Sequence, residues 1–221
     1  MAGKFISIEG PDGAGKSTLA RGLHSELTLK GHQVVLTREP GDGPVGPQIR
    51  QILLEGVDID SWTEVFLFLA DRRQHVEQFI RPALERGDWV ICDRFVDSTI
   101  VYQGYGRDLD IGLLRKLNKI ATSGLMPDLT LVLDLPVEAA LARIGSNDLF
   151  DGGAPSRVQN DRLDREPIEF HRRVREGFLA EARLEPDRFR IIDGEGVPSK
   201  VLEDAVFALS EHNIPEVRTK L

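Results

Sequence analysis

Gly10, Pro11, Asp12, Gly13, Ala14, Gly15, Lys16, Ser17 and Thr18 follow the order G-x-x-x-x-G-K-[ST]. Glycines at these spacings let backbone N–H groups come close enough to surround phosphates. A helix starting at Lys16 would add the partial positive charge of its N-terminus at the same place. Lys16 then reaches the terminal phosphates, and Ser17 offers a hydroxyl ligand to Mg²⁺. The plainer alternative is a glycine-rich turn that happens to contain Lys-Ser. Spacing and flanks weigh against it: Phe5 to Glu9 reads as a short buried strand, and Leu19, Ala20, Leu23 and Leu27 recur at helical spacing. The motif implies a nucleoside triphosphate and leaves its fate open.

Other residues could act on that phosphate. The apolar run from Trp89 ends in Asp93-Arg94. Asp93 suits a Mg²⁺-holding role, directly or through water, and the planar fork of Arg94 suits a phosphate. Alone, the pair would read as a strand-end ion pair or turn cap. Arg38 and Glu39 precede Pro40-Gly41, where a strand should end; an exposed ion pair is the competing reading. Phe68 falls outside the apolar stripe of its helix, with Arg72 one turn on. Such a pair could stack a base and bond its edge, or could be a second core contact beside a solvated arginine. Asp97 to Arg107 is polar and aromatic, with Gly104 and Gly106. It directly follows Asp93-Arg94, and its Gln103 can donate and accept at once, which suits a base edge; a surface turn is the plainer reading. Arg157, Arg162 and Arg165 lie in or beyond a Gly- and Asp-rich stretch; one of them could neutralise a moving phosphoryl group, or all could be solvated beside Asp161 and Asp164. The five histidines are scattered without metal-site spacing, and no G-x-S-x-G occurs.

The elements that must hold these groups alternate. Strands are expected near 4–9, 33–38, 88–93, 129–135 and 188–192. Helices are expected near 16–30, 45–55, 61–86, 110–123, 137–144, 161–184 and 198–212. Mostly continuous apolar strands predict a parallel sheet covered on both faces, with ligands beyond the strands' carboxyl ends. In helix 61–86, Trp62, Val65, Phe66, Leu69, Val76, Phe79 and Ile80 form the expected core stripe. The 221 residues suit one domain, 1–214, with a lid at about 145–161 and a tail at 215–221. The net charge of −8 argues against nucleic-acid and anionic-membrane binding, and requires the site's own Arg, Lys and Mg²⁺ to attract an anion. No apolar run has membrane-spanning length, and the start of the chain shows no signal peptide. The lone Cys92, in an apolar strand, reads as inert core and fits a cytoplasmic setting.

Taken in order, EGPDGAGKST, TREPG, the Phe68/Arg72 helix, DRFVDSTIVYQGYGR, PDLTLVLDLP and DRLDRE resemble the thymidylate kinase family, from Lys4 to the last helix. The resemblance implies a three-layer P-loop kinase fold with a five-stranded parallel sheet and a lid. It implies phosphoryl transfer from ATP to dTMP with Mg²⁺, in a homodimer. It places Asp12 near the acceptor's sugar with Glu39 close by, Arg50 and Arg94 on the dTMP phosphate, and Phe68 on thymine. Arg72, Thr99 and Gln103 would read the base, and Tyr102 would crowd the 2′ position. Gly13 stands where one branch carries arginine, so a bacterial-type chain taking its catalytic arginine from the lid is implied, Arg157 before Arg162. Asp42 stands where the family's TREPGG has glycine. Three other readings remain, one of them a catalytically dead binding module, against which the intact Lys16, Asp93 and arginines argue. A deoxynucleoside kinase would share the loop and strand-end pair. A GTPase-like switch should carry Asn-Lys-x-Asp, whereas Asn118-Lys119 continues into Ile-Ala.

Overall fold

The computed structural model describes residues 3–54, 58–145 and 162–212. Residues 146–161 of the expected lid, Arg157 among them, and the tail 215–221 lie outside the described residues.

Five parallel strands form one sheet in the order β2-β3-β1-β4-β5. They are β1 (Phe5–Glu9), β2 (Val34–Arg38), β3 (Trp89–Asp93), β4 (Leu129–Asp134) and β5 (Phe189–Asp193). Register follows from side-chain alternation. Ile6 pairs with Ile91 and Leu129, and Ile8 with Asp93 and Leu131. Ile6, Ile8, Ile91, Leu129, Leu131 and Leu133 point to one face, where α1 (Lys16–Leu29) and α9 (Pro198–Glu211) cover them with Leu19, Leu23, Leu27, Val201 and Ala205. Phe5, Val90 and Cys92 point to the other, against Val76, Ile80, Ala83 and Phe95. Leu23 is fully buried, and truncating such a leucine to alanine costs about 2–5 kcal/mol.

The second face is layered by α2 (Gly46–Leu54), α3 (Ser61–His75), α4 (Arg81–Glu85), α5 (Val96–Thr99), α6 (Ile111–Ala121) and α8 (Ile168–Leu184); α7 (Val137–Gly145) follows β4. The Asp60 carboxylate caps α3 by accepting from Trp62 and Thr63 N–H. The expected single helix over 61–86 is interrupted by a wider π-type turn at Val76–Ile80, where Arg81 N–H returns to Val76 O. Pro82 follows at once and has no N–H to give, so the helix restarts around it. Two residues of the expected core stripe are not core: Phe66 is 57 % and Phe79 41 % exposed. The segment 97–107, whose plainer reading is a surface turn, is also helical, running from α5 into a π-type stretch at Ile100–Gly106. Its glycines serve packing: a Cβ on Gly104 would meet Ile111 at 2.8 Å, and one on Gly106 would meet Phe170 at 2.6 Å. The expected helix 161–184 begins only at Ile168, after Pro167, with a short 3₁₀ turn at Leu163–Arg165 before it.

Candidate active site

β1 lies between β3 and β4, so the chain diverges from the carboxyl end of β1 to both sides, and the crevice opens there. The phosphate loop fills the turn from β1 into α1. Gly10, Gly13 and Gly15 have φ of 137°, 79° and 94°, a region that disfavours side chains. At Gly13 space is lacking too: a Cβ would lie 2.2 Å from Ala140 O in α7. Glycine at 13 is therefore a packing requirement here as well as the mark of a loop without its own arginine. Lys16 is 7 % exposed, and its Nζ donates to Pro11 O at 2.6 Å. Ser17 Oγ donates to Asp93 Oδ2 at 2.6 Å. This hydroxyl and carboxylate, joined across two elements, are the hard oxygen donors that Mg²⁺ takes together with substrate phosphates and water. The residues present therefore fit the ion.

One cleft of about 1140 Å³, its open mouth included, runs from this loop to the carboxyl ends of β2 and β3. Lys16, Arg38, Arg50, Arg72 and Arg94 line it against Asp12, Glu39 and Asp93. Among the described residues, five cations against three carboxylates make it locally positive within a chain of net charge −8, in the sense the electrostatic requirement asks for.

Arg94 has the left-handed φ of 71°, costly for a residue with a side chain. Glu9, fully buried at the end of β1, holds the turn by accepting Phe95 N–H at 2.7 Å and the Ser98 hydroxyl at 2.6 Å. The Arg94 guanidinium is thereby turned back over the loop. It donates to Asp12 Oδ1 at 2.5 Å and to Tyr102 and Ser98 hydroxyls at 3.1 Å each. Tyr102 donates to Asp12 Oδ2 at 2.7 Å. Burial opposes the charge on Arg94, but Asp12 and its other acidic neighbours outweigh burial and raise its pKa further. Burial pushes the Glu9 carboxyl up to about 8, and nearby Asp97 pushes the same way.

Arg72 is buried. Its Nε donates to Glu39 at 2.7 Å, Nη1 to Thr99 at 2.8 Å and Asn118 at 2.6 Å, and Nη2 to Phe95 O at 2.9 Å. These four bonds leave one Nη2 hydrogen of the five that a guanidinium carries. Phe68, half-buried, lines the same wall. Gln103 Nε2 donates to Glu64 at 2.6 Å, which leaves its carbonyl and a second Nε2 hydrogen to offer a ligand. Arg50 donates to Pro40 O at 2.8 Å.

The structure thus brings Asp12, Lys16, Ser17, Glu39, Arg50, Phe68, Arg72, Asp93, Arg94, Thr99, Tyr102 and Gln103 to one cleft. It seats Arg162 on Glu64 Oε2, beside Arg107, and leaves Arg165 exposed. Burial alone would raise the pKa of Glu64; Arg107 and Arg162 hold it down. Sequence reasoning missed Glu9, Glu64, His75, Asn118 and Leu163. Each is alone in sequence and gains its meaning from a partner on another element. Cys92 is buried as expected, its thiol pushed up by burial.

A phosphate loop opening a five-stranded parallel sheet of order 2-3-1-4-5, beside an arginine-lined cleft wall, defines a P-loop kinase-type protein. A model of the thymidylate kinase family matches residues 8–205. The chain is 50 % identical over 200 residues to a thymidylate kinase of Desulfovibrio desulfuricans, covering 90 % of this chain and 91 % of that one. It is 48 % identical over 204 residues to that of Thermomicrobium roseum, covering 92 % of each. A crystal structure of thymidylate kinase from Ehrlichia chaffeensis superposes with a TM-score of 0.75 at 32 % identity, covering 95 % of this chain and 99 % of that one. The chain belongs to the thymidylate kinase family.

Proposed function

We propose that the chain transfers the terminal phosphoryl group of ATP to dTMP, giving dTDP and ADP. The observation that carries this is the single cleft in which the phosphate loop meets a wall offering Arg94, Arg50 and a half-buried Phe68. In the reaction the loop N–H groups hold the donor phosphates, and Lys16 exchanges Pro11 O for a phosphate oxygen. Mg²⁺, held by Ser17 and Asp93, would supply charge neutralisation at those phosphates.

The acceptor needs no general base. A phosphate monoester has its second pKa near ~6, so its oxygen is largely ionised at neutral pH. Among the described residues, the cleft's carboxylates are already committed: Asp12 to Arg94 and Tyr102, Glu39 to Arg72 and His75, Asp93 to Ser17. Catalysis is then alignment and charge neutralisation. Arg94 and Arg50 position the acceptor phosphate. Phe68 stacks the base, the remaining Nη2 hydrogen of Arg72 and the Gln103 carbonyl read its edge, and Thr99 fixes Arg72. Asp12 pins Tyr102 where the ring crowds a 2′ substituent. The lid supplies the arginine for the moving phosphoryl group. Arg157 is preferred, because Arg162 is held by Glu64.

We read the chain as cytoplasmic, which suits the thiol Cys92; no helix among the described residues is long and apolar enough to cross a membrane. We read it also as a homodimer, a second copy covering the exposed Phe66 of α3 and Ile120 of α6. Sedimentation velocity should give twice the 24.6 kDa chain mass and Phe66→Glu should halve it; a monomer in both would remove this reading. The function is tested by incubating the protein with Mg-ATP and dTMP and separating the nucleotides. Equal dTDP and ADP are expected; ADP without dTDP would overturn the proposal.

A further inference from the structure

Asp42, Thr37, His75 and Glu39 form a chain of hydrogen bonds whose hydrogens can be counted. Asp42 Oδ2 accepts the Arg38 backbone N–H at 3.0 Å and the Thr37 hydroxyl at 2.7 Å. Thr37 Oγ1 lies 2.7 Å from His75 Nε2, and His75 Nδ1 lies 2.9 Å from Glu39 Oε1. The other Glu39 oxygen accepts from Arg72 Nε at 2.7 Å. Thr37, Glu39 and His75 are buried at 5 %, 4 % and 0 % exposure.

A hydroxyl carries one hydrogen and a carboxylate carries none. The Thr37 hydrogen, spent on Asp42, is not available to His75. Nε2 must therefore carry a hydrogen and donate it to Thr37 Oγ1. At the other end, Nδ1 and Glu39 Oε1 stand at hydrogen-bond distance, and two bare acceptors buried there would repel. A hydrogen lies between them too.

We propose that Asp42 is a positioning residue that sets the donor direction of this chain and so locks a hydrogen between His75 and Glu39. Both oxygens of Glu39 are then engaged, one by Arg72 and one by His75. The carboxylate that lines the acceptor side of the cleft cannot swing toward an incoming phosphate. Charged neighbours of the chain include Arg38, whose Nε lies 3.9 Å from Asp42 Oδ1, Arg72 on Glu39, and Asp71 beside Glu39 and His75. Asp71, buried and raised to about 7 by burial and then by Glu39, adds little opposing negative charge below that pH. The value of Glu39 for the reaction rests on the phosphoryl-transfer reading; the donor direction does not.

Without Asp42 the Thr37 hydrogen is released. It would turn to Nε2, and a neutral ring with its hydrogen on Nδ1 would satisfy Glu39. Asparagine at 42 keeps an oxygen for the same two donors and should keep the original direction. The test is ¹⁵N NMR of the His75 ring in the full chain, comparing wild type, Asp42→Gly and Asp42→Asn. Expected are an Nε2-bound hydrogen in wild type and Asp42→Asn, and its loss in Asp42→Gly with an Nδ1-bound hydrogen remaining. A bare Nε2 in wild type, or the same His75 state in wild type and Asp42→Gly, would overturn the proposal. Neither result depends on turnover, so failure of the donor chain and failure of the proposed reaction are read separately.

Discussion

The two ends of the cleft are built by different means. The loop end is backbone: three glycines at positive φ, one lysine and one hydroxyl, all within residues 10–17. The acceptor end is side chains from distant places. Glu9, Glu39, Glu64, Arg72, Arg94, Thr99 and Asn118 meet there through buried bonds spanning up to 86 residues of sequence. A backbone site tolerates little change in shape but depends on few partners. A side-chain site depends on many partners, each of which must be neutralised by another. The difference predicts where chemistry, affinity and pH sensitivity reside.

The largest effect should come from the loop. Lys16→Ala removes a donor aimed at charge that develops on the transferred group, and turnover should fall on the order of 10³-fold with dTMP affinity little changed. A coupled ADP assay with dTMP titration reads both, and a loss confined to KM would erase the contrast. Next, Phe68→Ala should weaken dTMP binding by about 1–3 kcal/mol, the worth of one base stack, and leave turnover at saturation nearly intact. Calorimetry with dTMP checks this; unchanged affinity removes Phe68 as the platform.

The smallest effect separates the two ends by pH. Glu9 is raised from 4.5 to about 8 in the folded chain, so the native state holds its proton more tightly across that interval. Its contribution is complete below pH 4.5 and is lost as pH rises to about 8. Asp71, raised to about 7, works in the same direction. Denaturant midpoints should therefore fall from pH 5 toward pH 8, and Glu9→Gln should flatten the fall without abolishing it. An unchanged slope in Glu9→Gln would assign the pH dependence elsewhere.

The same contrast explains what was legible in the sequence. The loop end was read almost completely, because its information is local: spacing, glycine and a strand-helix switch. The five strands were legible for the same reason, as apolar runs with definite ends. Single residues of the acceptor end were also found where an aromatic or arginine stood out. Their partners were not. Glu64 looks like any helix-surface glutamate until Arg107, Arg162 and Gln103 converge on it. Gly104 and Gly106 looked like turn residues, because nothing in sequence shows Ile111 and Phe170 pressing on them. Phe66 matched the helical stripe but fell on an exposed face. Periodicity locates a stripe and does not say how wide the covering layer is.

The acceptor brings its own ionised phosphate oxygen, so the cleft needs arginines and no base. The direct measurement is ADP release with dTMP and with thymidine as acceptors under identical conditions. Turnover is expected with dTMP and none above background with thymidine, whose hydroxyl would need deprotonation. Turnover with thymidine alone would contradict it.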